Sequence, residues 1–339
     1  MEVIAEIGKN FVNQEEPQPL PVLLANAKHL IDEAVKAKVD TVKFQVHNVS
    51  DEIVPDIKIR APHFDQDRYE WVKRNTYPVE FWHELNQYCR EVGVDFLATP
   101  MSRGAAEILD EVGVDRWKIG SADITDFVLL DYVRDTGKPV ILSSGMSTLE
   151  ELKTAYDYVA EKVVDITILH CVSMYPCPVE KLNLATIWFL KVQFPQAKIG
   201  FSDHSVGIEG PLMALSLGAE VIEKHFTLDR KSWGPDHKVS LEPEELRELM
   251  ARVRDRDWIR STDEALGTET KFLRQEESQY RPSFRKGLYC ARDIESTELW
   301  HPDMMVALRP KLPNARPASE YPDFLGKFTG TTYKQNDPV

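Results

Sequence analysis

The chain has 339 residues, of which 42% are hydrophobic, and this is enough for one large domain of about 250 residues and a smaller one. Its formal net charge is -14, and its Lys and Arg residues are scattered along the sequence, which argues against a nucleic-acid-binding surface. An anionic ligand would therefore need a local pocket of cations.

The amino terminus, "MEVIAEIGKN", is strand-like from the start and lacks the basic and apolar regions of a signal peptide. No run of about 20 apolar residues follows, so we expect a cytoplasmic protein. The four cysteines, Cys89, Cys171, Cys177 and Cys290, form no CxxC pair, and reduced thiols are expected. His170 precedes Cys171, but neighbours on a strand point to opposite faces, which disfavours a catalytic thiol.

Short apolar runs rich in Val, Ile and Phe recur along the chain, separated by stretches with helical periodicity. In chain order they are "EVIAEIG", "DTVKFQV", "VDFLATP", "RWKIGS", "PVILSS", "ITILHCV", "KIGFSD" and "EVIEKHF". The predicted helices between them include "LLANAKHLIDEAVKA" from Leu23, "PVEFWHELNQYCREVG" from Pro78 and "TLEELKTAYDYVAEKV" from Thr148. We expect Ser147 or Thr148 to cap the last of these, and Leu241 to start the final helix of the repeat.

Apolar strands that alternate with helices predict a parallel sheet buried on both faces, and eight such units match a (β/α)8 TIM barrel. A doubly wound open sheet is the alternative, but neither GxGxxG nor GxxxxGK[ST] occurs. Beyond Ala265 the periodicity weakens. The sequence predicts a barrel over residues 1–265, a linker over 266–281 and a small β-rich domain over 282–339, whose last residues, "TTYKQNDPV", could be frayed.

Polar residues follow the apolar part of every predicted strand, at the end where a barrel carries its active site. A strand-end Ser or Thr is usually a cap or loop contact, but two lysines and several hydroxyls that converge from separate strands form a pocket suited to a phosphate or carboxylate. The strand-end residues are Glu6, Lys43, Gln45, Thr99, Lys118, Ser121, Ser143, Ser173, Tyr175, Ser202, His204, Glu223 and His225.

His204 and His225 end the seventh and eighth strands, which are neighbours in a barrel, so both imidazoles can reach one divalent ion. Each could instead be a hydrogen-bonded core histidine. An open site of N and O ligands suits Mn²⁺ or Mg²⁺ better than a structural zinc. Asp236, in the loop "WGPDHK", could bind sugar hydroxyls or its own backbone.

The motifs "IAEIG", "VKFQ", "FLATP", "KIGS", "GKPVILSSGM", "LHCVSMYP", "IGFSDHS", "EKHFTLD" and "GPDHKVSLEP", in this order, resemble the sialic acid synthase family. The segment "RKGLYCARDIESTELWHPDMMVALRP", followed by "YPDFLGK", resembles the antifreeze-like (SAF) domain that ends these enzymes. The resemblance covers nearly the whole chain. It implies a transferase that condenses phosphoenolpyruvate with an N-acylated hexosamine, typically N-acetylmannosamine, to a nine-carbon 2-keto acid and phosphate.

The resemblance also implies roles for individual residues. His204 and His225 would carry the metal that binds the sugar's aldehyde oxygen, with Mn²⁺ expected and Mg²⁺ or Co²⁺ as alternatives. Arg309, in "ALRP", would enter the barrel of a neighbouring subunit and contact the N-acyl group, which implies a homodimer with swapped tails. Glu6 and Glu223 are the expected catalytic carboxylates, Gln45 and Asp236 would face the sugar, and phosphoenolpyruvate would be held by Lys43, Thr99, Lys118, Ser121, Ser143, Ser173, Tyr175 and Ser202.

Three departures from the family pattern fall on the sugar side. Family members usually follow "AEIG" with an Asn-His pair, whereas this chain has Asn10 and Phe11. The usual Gly-Glu after "KIGS" is Ala122 and Asp123 here, and Ser173 stands where an Asn is common. The alternatives are a metal-dependent barrel hydrolase, which generally needs an HxH pair that the first strand lacks, and a non-catalytic relative with an altered sugar site.

Overall fold

The computed structural model describes residues 1–55, 57–58, 60–61 and 64–339. Eight parallel strands, all among these residues, form one sheet, and each coincides with one of the predicted apolar runs. They are β1 (Glu2–Gly8), β2 (Thr41–Val46), β5 (Asp95–Pro100), β6 (Trp117–Ile119), β7 (Val140–Ser143), β8 (Ile166–Cys171), β9 (Lys198–Asp203) and β10 (Val221–His225).

The sheet closes into a cylinder, as the sequence predicts. Hydrogen bonds join the strands in the order β5, β2, β1, β10, β9, β8, β7 and β6, and β5 and β6, at the two ends of this order, lie against each other. The closed order excludes the open doubly wound sheet. It also makes β9 and β10 neighbours, in register at Glu223 and Ser202.

The helices that follow the strands pack around the cylinder. Thr148 caps its helix through a full capping box, as predicted. The last barrel helix begins at Pro243 rather than Leu241, because the Leu241 N–H donates to the carbonyl of His225 and extends the strand edge. The outer helices are α1 (Leu20–Ala37), α3 (Val79–Val92), α4 (Arg103–Val112), α5 (Phe127–Asp135), α6 (Leu149–Ala160), α7 (Thr186–Gln193), α8 (Glu209–Ser216) and α9 (Pro243–Asp255).

The interior of the cylinder is layered. Side chains two residues apart on a strand share a face, so each apolar residue in the lower layer lies beneath a residue near the carboxyl end of the same strand. Ile4 underlies Glu6, and Leu97 underlies Thr99. The lower layer is an apolar floor for the site, made of Ile4, Leu97, Ile141, Leu169 and Val221.

Smaller elements cover the carboxyl end of the barrel and build the tail. Beside the barrel mouth lie β3 (Arg60–Ala61), β4 (Phe64–Asp67) and α2 (Arg68–Arg74). Between the barrel and the tail lie α10 (Asp263–Leu266), α11 (Gln275–Ser278) and α12 (Arg281–Phe284), and in the tail the antiparallel pair β11 (Gly287–Cys290) and β12 (Met305–Leu308) precedes α13 (Tyr321–Phe324). Short 3-10 turns span Val49–Asp51, Ser121–Asp123, Val179–Lys181, His237–Val239, Pro302–Met304 and Ala318–Glu320.

The middle of the tail is anchored to the barrel, and its carboxyl end is hydrogen-bonded within the tail. Arg103 of the barrel donates to the carbonyls of Pro302 and Met305 at 2.6 and 2.8 Å. The predicted frayed end is wrong, because the backbone N–H of Val339 donates to Leu288 at 3.0 Å. The domain boundaries and the antifreeze-like identity of the tail stay predictions. Among the described residues, none of the helices has both the length and the apolar character needed to cross a bilayer.

Candidate active site

A cavity of about 150 Å³ opens where the barrel strands end. Because the strands are parallel, their last side chains meet at this one rim. The structure brings to the cavity wall every predicted site residue except Arg309: Glu6, Lys43, Gln45, Thr99, Lys118, Ser121, Ser143, Ser173, Tyr175, Ser202, His204, Glu223, His225 and Asp236.

Two lysines and two glutamates form a buried charge cluster at the bottom of the cavity. Lys43 Nζ lies 2.7 Å from Glu6 Oε2 and 3.6 Å from Glu223 Oε2. Lys118 Nζ lies 3.4 Å from Glu223 Oε1. The four side chains are at most 7% exposed. Their formal charges cancel, so an anionic ligand competes with the two glutamates for the lysines.

The cluster fixes the protonation state of Glu223. Burial alone would raise the pKa of this carboxyl, but the charges of Lys118 and Lys43 and a hydrogen bond from Ser202 outweigh it and lower the pKa to about 2. Burial would likewise lower the pKa of Lys43, yet Glu223 and Glu6 raise it. Glu223 is therefore ionised at neutral pH and can accept a proton but not supply one.

Hydroxyl and amide groups surround the cluster. Lys43 donates to Thr99 Oγ1 at 3.2 Å, and Lys118 donates to Ser143 Oγ at 2.8 Å. Ser202 donates to Glu223 at 2.9 Å. These contacts hold the lysines in place and leave hydroxyl groups beside the ammonium groups. Such an arrangement of charges and hydroxyls suits a phosphate or carboxylate.

The two predicted metal-binding imidazoles face the cavity side by side, with ring centres 5.4 Å apart. The Nδ1 atom of His204 lies 3.1 Å from the carbonyl of Val172, which leaves its Nε2 atom for a ligand. His225 Nδ1 is buried and has no hydrogen-bond partner among the described residues. Burial lowers the pKa of His225 to about 4, so the imidazole is neutral, as metal binding requires.

These residues fit a metal site that has two protein ligands and leaves its other positions open. Among the described residues, no group of three His, Cys, Asp or Glu side chains is placed to hold an ion. Tyr175 packs beside the pair, with its ring centre 4.2 Å from that of His204. Lys224, between Glu223 and His225, faces the other way and pairs with Asp203 at 2.5 Å, as strand alternation predicts.

Arg309 contacts the barrel of its own chain. Its side chain is fully buried, forms an ion pair with Asp123, and lies 3.8 Å from Glu52. Lys286 Nζ adds a contact of 3.1 Å to Asp123. A charge pair at this depth holds the tail on the barrel rim. The swapped homodimer stays a prediction, since a second copy could offer the same carboxylates.

The departures Phe11 and Asp123 have different structural outcomes. Phe11 points away from the cavity into the core, with its ring centre 5.7 Å from those of Tyr77 and Phe81. Asp123 lines the cavity and also binds Arg309. Phe11 therefore places a core side chain where family members usually have a histidine, and Asp123 joins the cavity wall to the tail.

Several cavity residues were missed by sequence reasoning because they lie in the linker or outside the strand-end pattern. Glu277, in α11, accepts from the backbone N–H groups of Met146 and Ser173 at 2.9 and 3.0 Å and ties the linker to two strand ends. No periodicity marks this residue in the sequence. The missed residues that line the cavity wall itself include Lys9, Arg68, Trp71, Tyr280 and Phe284.

The predicted opposite orientations of His170 and Cys171 are confirmed. All four thiols are free and buried. Cys171 lines the cavity, whereas His170 faces the other way and its Nε2 atom lies 2.7 Å from the carbonyl of Leu182. Burial raises the pKa of the Cys171 thiol, which makes a nucleophilic thiolate unfavourable.

Comparisons with known proteins place the chain in a family. The NeuB family profile matches residues 30–270. The chain is 34% identical to the N,N'-diacetyllegionaminic acid synthase of Campylobacter jejuni, over 99% of this chain and 98% of that protein. It is 31% identical to human N-acetylneuraminate-9-phosphate synthase, over 99% of this chain and 90% of that protein.

The fold matches as well. The crystal structure of the spore coat polysaccharide biosynthesis protein SpsE from Bacillus subtilis superposes with a TM-score of 0.80 at 30% identity, covering 100% of this chain and 93% of that one. The match includes the tail as well as the barrel. By sequence, by fold and by the residues at its strand ends, this chain belongs to the NeuB family of sialic-acid-type synthases.

Proposed function

We propose that this protein condenses phosphoenolpyruvate with the open-chain form of an N-acylated amino sugar, releasing phosphate and forming a 2-keto sugar acid. The observation that carries the proposal is the cluster of Lys43, Lys118, Glu6 and Glu223 beneath a ring of hydroxyls. It combines cations that can bind an enol phosphate with carboxylates that can accept a proton from a water molecule. The synthase relatives support the same reaction class.

Each group has a role in this scheme. Lys43 and Lys118 bind the anionic groups of phosphoenolpyruvate and hold its C3 atom facing the sugar carbonyl. A bond forms between C3 and the aldehyde carbon of the sugar as the C2–C3 double bond becomes single, the aldehyde oxygen takes up a proton to become a hydroxyl, and water adds at the cationic C2. Glu223 or Glu6 takes the proton of this water. The C2–O bond then breaks, so the bridging oxygen leaves with phosphate.

Burial lowers the pKa of both His204 and His225, and these imidazoles are proposed to hold a divalent ion, Mn²⁺ by ligand type. When bound, the ion supplies a Lewis acid that polarises the sugar's carbonyl. Gln45 and Asp236, on the cavity wall, are proposed to orient the sugar's hydroxyls.

The test is phosphate release from phosphoenolpyruvate by the full chain with Mn²⁺, with and without an N-acylated hexosamine. We expect release only when both substrates are present. Oxygen-18 in the bridging position should appear in phosphate, and its retention in the sugar acid would exclude C–O cleavage. Hydrolysis of phosphoenolpyruvate without sugar would favour a hydrolase, and no turnover with any amino sugar would favour a binding protein.

A further inference from the structure

The outer wall of the cavity carries two further buried cations, Lys9 and Arg68. Lys9 directly follows β1, and Arg68 begins α2. They are 8% and 9% exposed, and both line the cavity. Neither follows from the strand-end pattern, because Lys9 lies in a turn and Arg68 in an inserted helix.

Neither cation forms a salt bridge with a carboxylate anywhere in the described part of the chain. Lys9 Nζ donates to Gln45 Oε1 at 2.6 Å and lies 3.1 Å from His47 Nε2. Burial lowers the pKa of His47 to about 4, so this neighbour is neutral. The guanidinium carbon of Arg68 lies 4.1 Å from the ring centre of Phe284, and its Nε atom is buried with no hydrogen-bond partner among the described residues.

This wall contrasts with the bottom of the cavity, where two glutamates already neutralise Lys43 and Lys118. A buried cation without a paired anion is costly, and a ligand that supplies the anion recovers that cost. Burial lowers the pKa of Lys9 to about 8 and that of Arg68 to about 10, so both remain mostly charged at neutral pH.

The position of Lys9 separates it from the proposed phosphoenolpyruvate site. Gln45 stands between them: its Oε1 atom accepts from Lys9, while its Nε2 atom donates to Glu6 at 2.8 Å, and Glu6 in turn contacts Lys43. Trp71 flanks Lys9, with 5.8 Å from Nζ to the ring centre, and gives this wall an aromatic face. A face of this kind suits a sugar ring or chain.

Building on the proposed function, we propose that Lys9 and Arg68 bind a negatively charged group of the sugar, so that the second substrate is an N-acylated amino sugar bearing a phosphate or a carboxylate. Arg68 offers the planar pair of donors that both anions accept, and Lys9 adds a point charge beside Gln45.

The experiment compares binding of three probes to the full chain by calorimetry: N-acetylmannosamine, its 6-phosphate, and the corresponding C6 carboxylate. We expect at least one anionic probe to bind at least tenfold more tightly than the neutral sugar, and the tighter of the two identifies the anion. Lys9→Gln and Arg68→Gln should each reduce this preference at least tenfold, whereas Arg68→Lys should retain most of it. Lys238→Gln removes an exposed lysine of the same rim and should leave the preference unchanged.

Neutral and anionic sugars that bind equally to the unaltered chain would overturn the inference. So would Lys9 and Arg68 variants that weaken phosphoenolpyruvate binding but not binding of the anionic sugar. Circular dichroism of each variant confirms folding, and the two positions give independent tests. Phosphate release is measured in parallel: if it is absent while the anionic preference depends on Lys9, the proposed reaction is wrong and the sugar-charge inference stands.

Discussion

The two ends of the barrel place charged side chains in different environments, and β1 contributes one glutamate to each end. At the amino end, Glu2 accepts from Arg116 at 2.9 Å, and Arg116 also donates to Thr41 at 2.8 Å. Both members of that ion pair are 23% exposed. Four residues further along the same strand, Glu6 is buried beside Lys43, and its Oε2 atom lacks hydrogen-bond geometry.

This difference indicates that the charges at the amino end stabilise the fold, whereas those at the carboxyl end are placed for chemistry. Charges at the amino end pair with each other and retain contact with water, so they cost little. At the carboxyl end, Glu6 Oε2, Glu223 Oε2 and His225 Nδ1 are buried without hydrogen bonds among the described residues. Buried polar atoms without hydrogen bonds are expected at a site where a bound ligand supplies their hydrogen-bond partners.

Lys118→Met at the carboxyl end should produce the largest effect. Removing one ammonium group from the proposed anion site should lower kcat/KM for phosphoenolpyruvate about 10³-fold. The matched variant Lys118→Met/Glu223→Gln removes the pair together, and the difference in the free energy of unfolding between the two variants measures the cost of an unpaired buried carboxylate. Full phosphate release by the single variant would remove Lys118 from the mechanism.

Arg309→Ala tests the contact between barrel and tail. The change leaves Asp123 and Glu52 buried with fewer positive charges, and it should lower the free energy of unfolding by about 3 kcal/mol. Denaturant titration measures this loss. Unchanged stability together with a raised KM for the sugar would contradict the structural role and favour the sugar contact expected from the family.

His225→Ala should weaken Mn²⁺ binding about 100-fold and leave the melting temperature nearly unchanged, because the imidazole lacks a hydrogen bond at Nδ1. Calorimetric titration with Mn²⁺ measures the affinity, and His83→Ala, on an exposed surface of α3, is the control. Because the pKa of His225 is about 4, protons should not compete with the metal between about pH 8 and about pH 6. An affinity that falls with a midpoint near the ordinary histidine pKa would contradict the lowered value.

Arg116→Gln at the amino end should produce the smallest effect. Losing a partly exposed ion pair should cost about 1 kcal/mol of stability and leave phosphate release within about twofold of the unaltered chain. A large loss of activity would contradict the division of roles between the two ends.

Sequence reasoning located the cavity well because strand periodicity and strand ends are local properties. Thr99, Lys118 and His204 could be placed at the rim from alternation alone. The reasoning missed Glu277, whose linker has no periodic pattern, and the ion pair of Arg309 with Asp123, which lies 186 residues away in the chain. It also missed the neutralisation of Lys43 by Glu6, because the order of strands around the cylinder decides that pairing.

The sequence by itself determined the alternating strands and helices, the residues at each strand end and the family, because these depend on short-range patterns of apolar and polar side chains. Only the tertiary structure decided which charges are paired. It joined Glu6 and Glu223 to the inner lysines, left Lys9 and Arg68 without carboxylates in the described part of the chain, and set the tail on the barrel through Arg309. Ion pairing depends on distances between residues far apart in the chain, and these exist only once the barrel has closed.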